Sequence, residues 1–533
     1  MNPHLLTILI FLPLAAAAVM FAVPAGRRNA YKYIALAVGL LQLVLSGGMY
    51  YLFHPKGAGI TEERLYQFVD HIPWIRLDMG GLGRLEIDYF IGVDGLSMPL
   101  LFLTALVMVI AIGASWKVQK SVKGYFVLLM ILDMAVMGVF SALDFFLFYI
   151  FYELMLLPLY FLIGIWGGER REYAAMKFFL YTLFGSVFML LIIVGLYFSV
   201  TNPETGAHTF NMLHMMDPAN YVPGSFFSAL AQQELFGIPA RLLGFVVLFI
   251  AFAIKVPIVP LHTWLPDAHV EAPTPISIIL AGVLLKVGGY GILRICFSIF
   301  PDAAMQSAWW LGLIGVVSII YGALVALSQR DLKRMIAYSS VSHMGFVLLG
   351  MASLTTEGTA GAMFQMISHG FLSAALFFLV GMLYDRVHDR GIYHFRGLAT
   401  LMPRYTVMVA IAFFASLGLP GFSAFIGEVF VIIGAFNAES INGLLPRWMA
   451  IAGSVGILLS AAYFLWTLQR MFFGQPRLKG GAAWTEALTD ASPRETMVMV
   501  PMLVLALTLG VYPALALDKI NASVLALVEL VTS

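Results

Sequence analysis

Residues 253–294 read AIKVPIVPLHTWLPDAHVEAPTPISIILAGVLLKVGGYGILR, and this stretch decides the fold. Its second half is a long apolar run carrying one lysine, Lys286, and its first half closes another apolar run that carries Lys255. Pro257 and Pro260 each remove an amide donor and free the carbonyl four residues back, at Ala253 and Val256, so a helix arriving at Lys255 must break there. Runs of about 20 apolar residues are the length of a membrane span. Inside a bilayer, broken backbone is tolerated only where it is buried in protein or lines a wet cavity.

The same pattern extends outward over the whole chain. Of 533 residues, 61% are hydrophobic and 11% charged, far below the quarter usual in soluble domains, and the mean hydropathy is +0.91. These values give an all-α, polytopic membrane protein. Apolar windows place about 14 transmembrane helices near 4–23, 31–52, 87–115, 124–142, 144–166, 174–200, 241–261, 273–297, 308–328, 334–353, 360–384, 404–436, 447–469 and 496–517. Twenty basic residues fall in connectors after odd-numbered spans and eight, Lys56 among them, on the other side. By the positive-inside rule, both termini then lie outside. The first apolar run is read as a retained span, since Arg27, Arg28 and Lys32 follow it rather than precede it.

Net charge is +1, which gives no global attraction to nucleic acid. The single cysteine, Cys296, makes no intrachain disulfide and holds no iron–sulfur cluster or structural zinc. Gly80, Gly81 and Gly83 lack the strand-to-helix context of a dinucleotide fingerprint. No linker or soluble domain interrupts the chain, so residues 1–533 read as a single membrane domain.

Intramembrane charges cost roughly 2.5 to 3.5 kcal/mol on insertion scales and mark functional sites. Four stand out: Glu153, Lys255, Lys286 and Glu428. A structural ion pair between Glu153 and Lys255 would account for two of them as helix glue. It leaves the other two unexplained, and buried pairs seldom stabilise relative to apolar packing. Pro420 and Gly421 break the twelfth span shortly before Glu428, as Pro257 breaks the seventh after Lys255. His343 and His369, flanked by Ser339, Ser340, Ser342, Ser368 and Ser373, add side chains suited to a proton relay near neutral pH. His262 and His269, with Asp267 and Glu271, match no helical metal-ligand spacing. Asp94, Asp133 and Asp144 are secondary candidates that cap helices or bond to neighbours.

The segments FYELMLLPLYFLIGIWGG, KVPIVPLHTWLPDAHVEAPTPIS, LAGVLLKVGGYGILR, AYSSVSHMGF and LGLPGFSAFIGE resemble the antiporter-like membrane subunits of respiratory complex I, the proton-translocating NADH:quinone oxidoreductase. The resemblance covers essentially the whole chain and is densest from Asp144 to Glu428. It implies that Glu153 and Lys255 form a coupling pair, that Lys286 is the central lysine, and that His343 and His369 join the halves. Glu428, where the L- and N-type members typically carry lysine, points to the M-type (chain 4) branch.

The resemblance further implies two inverted five-helix repeats, 124–297 (helices 4–8) and 308–469 (helices 9–13), with helices 7 and 12 broken. It implies no cofactor or metal in this chain, with FMN, iron–sulfur clusters and quinone in other subunits. The implied partners are the lipid bilayer, protons and the L-type and N-type subunits, in a bacterial inner membrane with periplasmic termini. The alternatives are a subunit of a ferredoxin-driven relative, a membrane-bound hydrogenase or a multisubunit sodium/proton antiporter. From another class, a non-conducting membrane scaffold remains.

Overall fold

The structure, a computed structural model, describes residues 4–55, 59–78, 80, 84–229 and 233–533. Lys56, Gly81 and Gly83 of the sequence reading lie outside the described residues. Helices α1 (Leu5–Ala22) and α2 (Arg28–Leu52) precede a hairpin of β1 (Gln67–Asp78) and β2 (Arg84–Val93). Then follow α3 (Met98–Ala114), α4 (Val122–Ser141), α5 (Phe145–Leu154), α6 (Leu156–Trp166), α7 (Arg171–Ser199), α8 (Met212–Met216), a short ladder of β3 (Glu234–Leu235) with β4 (Ile238–Pro239), and α9 (Ala240–Lys255). The chain continues through α10 (Trp264–Glu271), α11 (Thr274–Ile279), α12 (Leu285–Gly291), α13 (Pro301–Leu327), α14 (Leu332–Ala352), α15 (Thr356–Val387) and α16 (Leu398–Leu401). It ends with α17 (Pro403–Ser416), α18 (Ser423–Ile441), α19 (Arg447–Phe472), α20 (Gly481–Ala487), α21 (Pro493–Val511) and α22 (Ala514–Thr532).

Thirteen helices among the described residues are long and apolar enough to cross a membrane. The fourteenth expected span, 241–261, falls short because α9 stops at Lys255 after 16 residues. The prolines have the anticipated effect, and the carbonyl freed by Pro257 is satisfied locally. Ile258 N donates to Ala253 O at 3.3 Å, and the Trp264 indole donates to Ile254 O at 2.8 Å. The expected span 404–436 is likewise two half-helices, α17 and α18, separated by a turn at 417–422.

Two boundaries differ from the sequence reading. The expected span 87–115 begins in β2, whose apolar residues Ile87, Phe90, Ile91 and Val93 pair with β1 before α3 starts at Met98. The last expected span, 496–517, ends at Val511, and α22 follows as a separate helix. Lys519 Nζ donates to Phe53 O at 2.7 Å and His4 bonds Asp70 at 2.9 Å, so the start of α1 and the start of α22 lie at the hairpin end of the bundle. The opposite end is rich in cations, joined by pairs such as Arg386–Glu495 at 2.8 Å and Arg390–Asp331 at 2.6 Å.

Peripheral helices expose apolar faces, as with Leu180, Phe184 and Leu191 of α7, which suits lipid and not water. The innermost elements are Thr274–Phe297, α14 and α15, with 100%, 94% and 100% of their apolar windows buried. Lys286, His343 and His369 ride on these three, so each is deeply buried.

Candidate proton-relay site

Lys286 lies on α12 between two π-helical segments, Leu280–Leu284 and Ile292–Phe297. Such wide turns recur at functional sites because they leave backbone groups off the regular ladder. Lys286 Nζ donates to Ala281 O at 2.6 Å and meets His369 Nδ1 at 2.7 Å. The His369 and His343 rings are 5.6 Å apart, centre to centre. His343 Nδ1 in turn is 3.3 Å from Glu428 Oε1, without hydrogen-bond geometry. Helices α12, α15, α14 and α18 therefore bring together Lys286, His369, His343 and Glu428 as one continuous line of titratable groups.

A small cavity of about 10 Å³ opens along this line, lined by Ser339, Ser340, His343, Gln365, His369 and Ser416 among others, room for roughly one water. Gln365 Oε1, Ser416 Oγ, both His343 nitrogens and both Glu428 oxygens have no protein partner. Buried polar groups are normally satisfied, and this set of donors and acceptors suits ordered water. The α17–α18 break makes room for the Glu428 carboxylate. Gly418 there has φ +80°, and a β-carbon on it would strike Glu428 Oε2.

Lys255 ends α9, fully buried. Its Nζ has no hydrogen-bond partner and rests on the faces of Tyr152, 4.8 Å away, and Phe178, 5.5 Å away. A cation over an aromatic face gains roughly 2 kcal/mol when desolvated. Glu153 adjoins Tyr152 at the end of α5, half-buried, with Oε1 unpartnered. The structural ion pair considered for Glu153 and Lys255 is therefore not formed. The α9 break instead packs on α12, where a β-carbon on Gly288 would meet Val256 N and Phe252 O at 2.8 Å.

The secondary acids separate into three cases. Asp144 caps α5, accepting from Leu147 N at 2.9 Å. Asp94 pairs with Arg294, both fully buried, and Arg294 also bonds the hydroxyls of Tyr66 at 2.7 Å and Tyr290 at 3.1 Å. Asp133 is fully buried with both oxygens unpartnered.

Arg294 and Lys333, which the sequence analysis did not single out, are both buried: Lys333 Nζ donates to Ala272 O at 2.6 Å. His269, weighed only as a metal ligand, is fully buried with its ring stacked on Phe377 at 4.5 Å and both nitrogens free of partners. Its signal was its place between the two lysines of the opening stretch. No group of three or more metal-ligating side chains occurs among the described residues.

Outside the bundle, the β1–β2 hairpin holds His71 between Asp88 at 3.4 Å and Glu63 at 3.2 Å. The Asp88 hydrogen bond, with Glu63 behind it, raises the His71 pKa above 6.5 against the effect of burial. Burial pushes the Asp88 carboxyl up, but hydrogen bonds from His71 and Arg76 outweigh it and hold Asp88 below 3.8.

Residues 142–460 match the family described as "NADH:quinone oxidoreductase/Mrp antiporter, TM". The chain is 41% identical over 531 residues to "NADH-quinone oxidoreductase subunit M" of Rhodobacter capsulatus, covering 99% of this chain and 96% of that one. Among solved structures, a chain of respiratory complex I from Thermus thermophilus with bound NADH superposes with a TM-score of 0.80 at 28% identity, covering 99% of this chain and all of that one. A chain of the Mrp complex from Dietzia sp. superposes with a TM-score of 0.79 at 21% identity over 100% of both chains, a likeness of fold.

Proposed function

We propose that the chain, which belongs to the NADH:quinone oxidoreductase/Mrp antiporter membrane family, is the M-type subunit of an NADH-quinone oxidoreductase and moves protons across the membrane. The observation that carries this reading is the line Lys286–His369–His343–Glu428, ending at a broken helix. Lys286 holds the central proton and passes it from Nζ to His369 Nδ1, a distance within direct hydrogen-bond reach. Ring rotation or one water in the cavity carries it to His343 and on to Glu428, which hands it to the exit. Glu153 and Lys255, unpaired here, come together and apart, and their changing field sets how tightly Lys286 holds its proton. The contact of the α9 break with α12 at Gly288 supports that coupling.

Residues 124–297 and 308–469 act as two repeats, each with one broken helix. The chain carries no redox centre of its own. FMN, iron–sulfur clusters and quinone belong to other subunits, and the neighbours in the membrane are the L-type and N-type subunits. The membrane is the bacterial inner membrane, with the hairpin end and both termini on the periplasmic side, so that the cationic end faces the cytoplasm.

The test is proton pumping and quinone reduction in membrane vesicles carrying Glu153→Ala or Lys255→Ala, after a native gel has established assembly. Collapse of both activities in an assembled complex is expected. Wild-type rates in both would reduce the two residues to packing and remove their role in the mechanism.

A further inference from the structure

At the cationic end, the segment after α15 and the segment after α19 run side by side. Arg477 N donates to Arg396 O at 3.1 Å and Lys479 N to His394 O at 3.0 Å, an antiparallel pairing. Phe395 stacks on Trp484 with centroids 5.1 Å apart, which fixes the pair against α20. Gly474, at φ +91°, turns the chain, and Arg396 Nε lies 2.8 Å from where a β-carbon of Gly474 would stand. The frame borders an open cleft of about 850 Å³ lined by His394, Arg396, Arg470, Arg477 and Lys479.

Positive charge in the cleft is left almost unneutralised. Arg396, Arg470 and Arg477 have no carboxylate partner among the described residues, and Lys479 reaches Asp389 only at 4.0 Å. Asp389 is already engaged by His394 at 2.8 Å and by Gly391 N at 2.7 Å. Arg470 is held over Trp466 at 5.4 Å and Tyr393 at 5.8 Å, which is the mixture of cation and aromatic found at the headgroup level of a bilayer.

What distinguishes the cleft from a site for a soluble anion is the surface leading to it. Leu458, Leu465 and Gln469 fall seven and four residues apart on one stripe of α19. Leu458 is 73% and Leu465 44% exposed, and Phe473 stands exposed at the rim of the cleft. An apolar track thus ends at a cluster of arginines, whose planar forks suit phosphate oxygens. We propose that this cleft binds an anionic phospholipid, with its phosphate on Arg396, Arg470 and Arg477 and its acyl chains along the Leu458–Leu465 stripe.

The experiment places the purified assembly in nanodiscs of phosphatidylcholine with a minority of phosphatidylglycerol, re-extracts it, and counts retained lipid by native mass spectrometry. Wild type retains phosphatidylglycerol in preference to phosphatidylcholine. The triple variant Arg396→Ala/Arg470→Ala/Arg477→Ala lowers that affinity by roughly a hundredfold, as expected for three basic residues at a membrane surface. Arg477→Ala alone, at an exposed loop position, gives a partial loss in an assembly of unchanged subunit content. Excess inorganic phosphate leaves the lipid in place. Equal retention by wild type and variants overturns the proposal, as does release of the lipid by inorganic phosphate alone. So does a cleft that retains no lipid because an acidic segment of a neighbouring protein fills it, seen as protein cross-links from Arg477→Cys.

Discussion

Lys286 Nζ stands 2.7 Å from His369 Nδ1, although 83 residues separate them in the chain. Which of the two nitrogens donates depends on the histidine tautomer, and in either arrangement a single proton lies between them. The other contact of Lys286 Nζ, to Ala281 O at 2.6 Å, fixes its approach. The geometry is that of two proton carriers already in contact, deep in the bundle, with His369 on the wall of the small cavity.

Glu428 depends on a glycine. Gly418→Ala puts a β-carbon against the carboxylate and forces a side chain into a left-handed conformation, at about 1 to 2 kcal/mol for the backbone alone. Gly421→Ala, at φ +98° with open space around it, adds only the backbone cost. Proton pumping in assembled vesicles is expected to fall severalfold further in the first variant than in the second. Equal losses would mean that backbone strain, and not the position of Glu428, is what matters.

The buried charges divide by how they respond to removal. Asp94→Asn leaves Arg294 buried without its counter-charge, a change that typically costs about 3 to 5 kcal/mol. Glu153→Gln breaks no ion pair, because Glu153 Oε1 has no partner. Thermal unfolding of the purified assembly should drop clearly for Asp94→Asn and stay near wild type for Glu153→Gln, even though the latter loses pumping. A reversed order would contradict the assignment of Asp94 to structure.

The hairpin supplies a pH dependence with a definite sign. His71 titrates above 6.5, so its contribution to stability is complete below 6.5 and is lost as pH rises through the raised value. Asp88 titrates below 3.8, so its contribution is complete above 3.8 and is lost as pH falls through the lowered value. Amide exchange in β1 and β2 should be slowest between these limits. His71→Gln should abolish the alkaline limb and weaken the acidic one, leaving it to Arg76.

Much of this was legible in the sequence. Prolines set the ends of α9 and α17, and an intramembrane charge near each break marked the site. What was hidden has physical causes. The end of β2, Tyr89–Val93, reads as apolar as a span, and hydropathy alone does not separate a buried strand from a helix. The π-helical segments around Lys286 have no sequence signature. The contact of Lys286 with His369 and the separation of Glu153 from Lys255 are tertiary facts, set by how α12, α15, α5 and α9 pack. Arg294 did not stand out because its partner, Asp94, lies two hundred residues away in sequence.

The central claim is that a proton travels from Lys286 through the histidines to Glu428. The most direct measurement is proton pumping together with quinone reduction in vesicles carrying Lys286→Ala, in a complex shown to be assembled. Loss of a relay group of this kind is expected to lower pumping by roughly a hundredfold, with quinone reduction falling alongside. Pumping at the wild-type rate in an assembled Lys286→Ala complex would contradict the relay and leave the chain as a scaffold.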